Sequence, residues 1–254
     1  MTTPKHILVL AGTGEARALC GLLAACSGYR VTASLAGVTG NPQPYPVAVR
    51  TGGFGGSEGL ADWLKAEDVA LVVDATHPFA TSISANAARA AGEEGCPIVR
   101  LVRLPWRPGS DDNWTSVADL EGAVAALPRG ARAFFATGSA TARQVMELAQ
   151  VAGIWAAIRT IEPVDFAVPL KSGAILQEHP PADVDTETDT FLRHGITHLV
   201  TRNSGGASGL AKLQAARFLG LPVVMIERPP LAAGIDTVET PEEAVFWIRH
   251  RLGG

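Results

Sequence analysis

The chain has 254 residues, a formal net charge of −4 and 47 % hydrophobic residues, which suits one large or two small globular domains at roughly 100–200 residues each. The weakly acidic balance excludes a global basic field for nucleic acid, and no apolar run reaches the roughly 18 residues a membrane-spanning helix needs. Three scattered cysteines, Cys20, Cys26 and Cys96, make no C-x-x-C pair and fit a reducing, cytoplasmic setting with no disulfide framework.

Short, continuous, β-rich apolar runs read as buried parallel strands. In the first half they fall at Lys5–Leu10, Arg30–Leu35, Val47–Thr51, Val69–Asp74 and Pro97–Val102. Helical patterns lie between most of them, in "GEARALCGLLAAC", "SEGLADWLKAE" and "TSISANAARAAGEEG". "SVADLEGAVAALPRG" reads as a helix with an S-x-x-D start, stopped by Pro128. Strands resume at Arg132–Ala136, Ile154–Arg159, Ala174–Gln177, Thr197–Thr201 and Pro222–Ile226. A last helix opens at Thr240-Pro241-Glu242-Glu243, a capping box with Pro at its first position, and can pack on either half. Strand–helix alternation predicts an α/β protein with parallel sheets covered on both faces. "LVLAGTGEARAL" and "AFFATGSATARQV" echo each other as strand, small-residue turn and helix. The echo predicts two similar units, residues 1–128 and 129–254.

The polar clusters follow strands: "AGTGEA", "TGGFGG", "DATHPFA", "TGSATA", "TRNSGG" and "IERPP". In open α/β sheets that is the ligand edge. Gly12 and Gly14 permit close approach of a phosphate to backbone N–H groups at a helix start, or simply a tight βα turn. Arg17 stands where the third glycine of G-x-G-x-x-G would be, so the fingerprint is incomplete. The second strand ends in Ala33-Ser34-Leu35-Ala36, without the acid that usually holds NAD ribose hydroxyls. Ser34, with Arg50 reaching from the next strand, favours a 2′-phosphate and hence NADPH. Ser204-Gly205-Gly206 is read as opening a helix, with Arg202 and Asn203 at the strand end and Lys212 beyond, a second cradle for a carboxylate or phosphate. Thr137, Gly138 and Ser139 form a similar turn. His77, after Asp74, suits a proton donor, an anion ligand or a structural hydrogen-bonding role. His194 and His198 are separated by the helix-breaking Gly195, so no metal site is expected. No G-x-S-x-G elbow, full P-loop or Tyr-x-x-x-Lys pair occurs.

Together, "ILVLAGTGEARAL", "GGFGGSEGLADWL", "VVDATHPFATSISANAARA", "GITHLVTRNSGGA" and "AKLQAARFLGLPVVMIERP" resemble the NADPH-dependent precorrin-6A reductase family of corrin-ring synthesis. The stretches span nearly the whole chain, and "DATHPFA" with "RNSGG" is the specific part. The resemblance implies two Rossmann-like parallel-sheet domains with the active site in the cleft between them. It implies direct hydride transfer from NADPH to a ring double bond of the tetrapyrrole, with no metal; the charge and apolar-run readings add no nucleic-acid partner and no membrane. On that basis Gly12, Thr13, Gly14, Ser34, Arg50, Gly138 and Ser139 are assigned to the cofactor. Arg17, Thr76, Arg202, Asn203, Ser204, Gly205 and Lys212 are assigned to the substrate and its carboxylates, and His77 to catalysis. An NADPH reductase of another small unsaturated substrate, or a non-catalytic dinucleotide sensor, stands as the alternative.

Overall fold

The structure, a computed structural model, describes residues 3–37, 43–166, 169, 171–230 and 234–253. In chain order the first elements are β1 (Lys5–Leu10), α1 (Gly14–Ala24), β2 (Tyr29–Leu35), β3 (Ala48–Thr51), α2 (Gly56–Ala66), β4 (Val69–Asp74), α3 (Thr81–Glu93) and β5 (Ile98–Leu101). Next come β6 (Trp114–Val117), α4 (Leu120–Ala125), β7 (Arg132–Ala136), a single 3₁₀ turn (Ser139–Thr141), α5 (Ala142–Ala152) and β8 (Trp155–Thr160). The rest are β9 (Gly173–Gln177), α6 (Val184–Arg193), β10 (His198–Arg202), α7 (Leu210–Phe218), β11 (Val223–Ile226), β12 (Asp236–Val238) and α8 (Pro241–Leu252). They form two compact units, Met1–Leu104 with Pro229–Gly254, and Pro105–Arg228.

The first unit holds a six-stranded sheet in the order β12-β5-β4-β1-β2-β3, all pairs parallel. Ile7, Leu8, Val9 and Leu10 of β1 are at most 1 % exposed, because helices cover both faces. Ile7 and Val9 pack with Val73, with Leu19 and Leu23 of α1, and with Ala244 and Ile248 of α8. Leu8 and Leu10 pack with Val72, Leu60 and Leu64 of α2, and Ala87 and Ala90 of α3. A strand buried on both sides has no polar alternation, which is why it reads as an unbroken apolar run.

The second unit repeats the plan, with parallel strands in the order β6-β11-β10-β7-β8-β9. Phe134, Ala157, Leu199 and Met225 of its sheet pack with Phe191 of α6 and Leu213, Ala215 and Ala216 of α7. Each sheet therefore runs outward in both directions from a central pair, β1–β4 in one unit and β7–β10 in the other.

Three expectations are corrected. The division is not at 128–129: Trp114–Val117 pairs with β11, so the second unit starts at Pro105, while β12 pairs with β5 and α8 packs on α1, so the chain's end belongs to the first unit. Pro128-Arg129-Gly130 is the connection from α4 to β7 inside the second unit. The helix expected from Ser116 begins at Leu120 instead. Asp119 is its cap, accepting from the Gly122 N–H at 2.8 Å, and Ser116 lies in β6 with its hydroxyl donating to Glu227 Oε1 at 2.7 Å. Ser204-Gly205-Gly206 does not open a helix either, since α7 starts at Leu210 behind Gly209 at φ 89°. Thr240 does cap α8, its Oγ1 accepting from the Glu243 N–H at 3.1 Å, and Glu243 reaches back to the Glu239 N–H at 2.7 Å.

Candidate active site

Ligands of doubly wound sheets bind outside the carboxyl ends of the strands, where the strand order reverses. In the first unit that point lies between β1 and β4. Gly12 has φ 123°, a conformation that favours glycine. A Cβ built on Gly12 or Gly14 would meet no atom within 4 Å, so the space before this turn is open to a ligand. Thr13 is the N-cap of α1: its Oγ1 accepts from the Ala16 N–H at 3.1 Å and donates to the Ala75 carbonyl at 2.8 Å, tying the two loops together. Glu15 pairs with Arg103 at 2.6 Å, and both border a small crevice with Thr13, Thr76 and Pro78. The Gly12 N–H donates to the Tyr45 hydroxyl at 3.3 Å, and the Arg17 guanidinium lies 5.3 Å from the centre of the Tyr45 ring.

The loop after β4 is organised by Asp74, which is 2 % exposed and lies 3.7 Å from Arg100 Nε. Asp74 Oδ1 accepts from the Thr76 hydroxyl at 2.6 Å and from the Thr76 N–H at 3.1 Å, so the expected substrate residue Thr76 turns its proton inward. His77 Nδ1 accepts from the Phe79 N–H at 3.3 Å. The neutral ring therefore carries its proton on Nε2. Ser34 and Arg50 do meet: Arg50 Nη1 donates to Ser34 Oγ at 3.1 Å and to the Gly52 carbonyl at 2.7 Å, and Nη2 to the Gly53 carbonyl at 2.8 Å. The guanidinium stacks 3.7 Å over Phe54, and burial pulls its pKa below the usual arginine value.

In the second unit the reversal lies between β7 and β10. Gly138 has φ 86°, and a Cβ there would stand 3.3 Å from Arg202 Nη2, so the two loops touch through expected site residues. Thr137 is buried and accepts from the Thr141 hydroxyl at 2.9 Å, behind Ser139. Burial lowers the pKa of Arg202. The loop Asn203–Gly209 carries Gly205 and Gly206 at positive φ and the Ser204 N–H turned back onto the Arg202 carbonyl at 2.7 Å. Arg228 clamps it by donating to the Asn203 carbonyl at 2.7 Å and the Ser204 carbonyl at 2.9 Å.

Asn203 is 3 % exposed, and its amide holds Trp106 in place. Oδ1 accepts from the Trp106 N–H at 2.8 Å, and Nδ2 donates to the Trp106 carbonyl and to Glu227 Oε2, each at 3.1 Å. The Trp106 indole N–H donates to the Gly206 carbonyl at 2.8 Å. Lys212, 9 % exposed, donates to the Gly209 carbonyl at 2.8 Å and lies 4.8 Å from the centre of the Trp106 ring.

The structure thus gathers Gly12, Thr13, Gly14, Arg17, Thr76 and His77 onto neighbouring loops of one unit, with Ser34 and Arg50 one strand further out. It gathers Gly138, Ser139, Arg202, Asn203, Ser204, Gly205 and Lys212 in the other. Tyr45, Arg103, Trp106 and Arg228 belong to the same loops and were not expected. Arg228 lies in the flagged "IERPP" run. Tyr45 and Trp106 carry a readable mark, since each sits among prolines, in Pro44-Tyr45-Pro46 and Pro105-Trp106-Arg107-Pro108, which present an aromatic ring on a stiffened chain. Among the described residues, no group of three or more His, Cys, Asp or Glu side chains is placed to hold a metal ion, and no helix is long and apolar enough to cross a membrane.

Each unit has the strand order of the dinucleotide-binding Rossmann fold about its central strand pair, and that defines the class: a protein of two Rossmann-like α/β units. The family model for precorrin-6x reductase CbiJ/CobK matches residues 6–249, and the chain belongs to that family. It is 45 % identical over 244 residues to the precorrin-6A reductase of Rhodococcus erythropolis, covering 96 % of this chain and 97 % of the relative. It is 41 % identical over 244 residues to that of Rhodobacter capsulatus, covering 96 % and 95 %. The solved structure of a CobK precorrin-6A reductase superposes with a TM-score of 0.89 at 40 % identity, covering 97 % of both chains. The family is one of reductases of a tetrapyrrole precursor, and a nicotinamide cofactor goes with that class of chemistry.

Proposed function

We propose that this chain catalyses the NADPH-dependent reduction of one ring double bond of precorrin-6A, a cytoplasmic step of cobalamin biosynthesis. The observation that carries the reading is the end-to-end match to precorrin-6A reductases in sequence and fold. The ligand edges support it with the right chemistry. The open turn at Gly12–Gly14 fits a pyrophosphate, and the acid-free end of β2, with Ser34 bonded to Arg50, fits a 2′-phosphate. Gly138 and Ser139 belong to the cofactor set in this reading.

NADPH, when bound, supplies the hydride. The protein positions and neutralises. Arg202 and Lys212, with Ser204 and the Gly205 backbone, meet carboxylates of the tetrapyrrole, for which cationic partners are suited. Trp106 and Asn203 hold that loop in shape. In the first unit Thr76, held by Asp74, serves the substrate from the loop after β4. The reduced bond takes a hydride on one carbon and a proton on its neighbour, and the His77 ring in its protonated, imidazolium form is the donor of that proton, returning to the neutral ring. The test is anaerobic mixing of the protein with deuterated NADPH and precorrin-6A, following loss of the reduced-nicotinamide absorbance and the ring spectrum. Deuterium is expected in the product ring. A product without it removes direct hydride transfer, and NADPH left unoxidised removes the reading.

A further inference from the structure

Arg17 was expected to meet the substrate's carboxylates, as one of the cations that follow strands on the ligand edge. It lies in the first turn of α1, immediately beyond the glycine turn, with its guanidinium over the Tyr45 ring at 5.3 Å. Its Nε is shielded from solvent and has no hydrogen-bond partner among the described residues. A buried guanidinium N–H left unmade is unfavourable unless an anion comes to it. Tyr45 in turn is half-buried, packs on the edge of the core beside α1, and accepts the Gly12 N–H on its hydroxyl oxygen. Because that oxygen is the acceptor in the bond to Gly12, the phenolic proton remains to donate. The open space before Gly12 and Gly14 is therefore bordered by three kinds of anion-seeking group: backbone N–H, a phenol O–H and a guanidinium.

We propose that Tyr45 and Arg17 complete the pyrophosphate site of the dinucleotide, so that Arg17 serves the cofactor rather than the substrate. The inference rests on the reading of the protein as a nicotinamide-dependent reductase. Arg17 takes the position of the missing third glycine but not its packing role: the incomplete fingerprint lacks the glycine that allows close helix–strand packing and carries a cation there instead. The ligand feature recognised is the diphosphate bridge, common to NADPH, NADH and ADP-ribose, and not the 2′-phosphate that distinguishes NADPH.

The experiment is calorimetric titration of the full chain and of Arg17→Gln and Tyr45→Phe with NADPH, NADH, ADP-ribose and 2′-AMP, with melting curves to establish that the variants fold. Arg17→Gln raises Kd for the three diphosphate ligands by a common factor of about ten, the scale of one charge-assisted contact. Tyr45→Phe raises it about three- to fivefold, the scale of one neutral hydrogen bond. Binding of 2′-AMP, which has no diphosphate, and KM for the tetrapyrrole stay as in the parent protein. A Tyr45→Phe protein that binds the diphosphates equally well or more tightly overturns the inference, because the phenol is then a competitor for the Gly12 N–H or a bystander. An Arg17→Gln protein with intact nucleotide affinity and a raised tetrapyrrole KM overturns it by returning Arg17 to the substrate. Parent protein that binds neither NADPH nor ADP-ribose ends the cofactor reading and this inference with it, whereas binding parent and unchanged variants end this inference alone.

Discussion

Replacing Asn203 separates a ligand contact from a structural clamp. Its amide makes three hydrogen bonds, two to the Trp106 backbone and one to Glu227, in a position only 3 % exposed. Asn203→Ala removes all three and leaves the Trp106 N–H, the Trp106 carbonyl and a Glu227 oxygen to find other partners. At about 1–3 kcal/mol for a buried polar group left unpaired, and with water able to reach part of the loop, the net destabilisation is about 2–4 kcal/mol. That corresponds to a fall of roughly 5–15 °C in melting temperature. Asn203→Asp is nearly isosteric but swaps the Nδ2 donor for an acceptor facing a carbonyl and a carboxylate, each of which now accepts at 3.1 Å. The introduced carboxyl then holds its proton more tightly in the folded state than in the unfolded one. Its deficit is largest at neutral pH and shrinks as the pH falls, since protonation restores a donor. The assay is thermal melting of both variants between pH 5 and pH 8, scaled against KM for the tetrapyrrole. An Asn203→Ala protein that melts with the parent and differs only in substrate KM refutes the clamp and makes Asn203 a substrate residue.

Arg50→Ala is expected to weaken NADPH binding by about 1–3 kcal/mol more than NADH binding. The part lost by both cofactors reports its bonds to the Gly52 and Gly53 carbonyls, and equal loss for both removes Arg50 from the 2′-phosphate. His77→Ala lowers turnover by less than the factor of about 10² typical of an obligatory general acid, because water can protonate the ring. An undiminished single-turnover rate across pH removes His77 from the reaction. His6 is 2 % exposed, with Nδ1 donating to the Glu67 carbonyl at 2.9 Å and Nε2 accepting from the Thr32 hydroxyl at 2.8 Å. Burial first, and the Arg30 charge after it, hold its pKa below the usual imidazole value against the opposing effect of Glu67. The unfolded chain binds the proton more readily, so this contribution is intact above about pH 6.5 and is lost as the pH falls from there through the lower folded-state pKa. Melting curves of the parent and His6→Gln at pH 5 and pH 7.5 check it, and identical pH dependence in the two refutes it.

The limits of what the residue pattern reveals follow from where each element sits in its sheet. β1 and β4 lie at the centre, buried on both faces, and their bounds are those expected from the pattern, because two-sided burial writes an unbroken apolar run. β6 and β12 occupy edges. Trp114–Val117 and Asp236–Val238 are partly or fully exposed at every position, so neither carries a hydrophobic signature. What makes them strands is a partner far away in the chain, β11 for one and β5 for the other. The unit boundary went astray with them, since a division placed by internal similarity cannot see a strand that precedes its own unit's repeat. Ser116 shows the same competition at one residue. Its spacing to Asp119 suits a helix start, but the tertiary bond to Glu227 and pairing with β11 prevail.

At the ligand edges the sequence exposes locations better than roles, and the reason is chemical. A glycine at the end of a buried strand is legible because the backbone conformation it permits is local: Gly12 and Gly138 stand at positive φ where the pattern puts them. A polar side chain's role depends on which partners remain to it after folding, and that is set by residues distant in sequence. Thr76 gives its proton to Asp74, and Asn203 gives its amide to Trp106, so two side chains of apparent ligand type also shape their own loops. The converse holds for Tyr45 and Trp106, whose types suggest core packing. Each ring packs partly on its unit's core and also against a site loop, where Tyr45 meets the Gly12 N–H and Trp106 the Gly206 carbonyl. Loops that bind a large anionic substrate and a dinucleotide must hold several cations in fixed positions without letting them repel one another. Three cations of these loops lie over aromatic rings: Arg17 over Tyr45, Arg50 over Phe54 and Lys212 over Trp106.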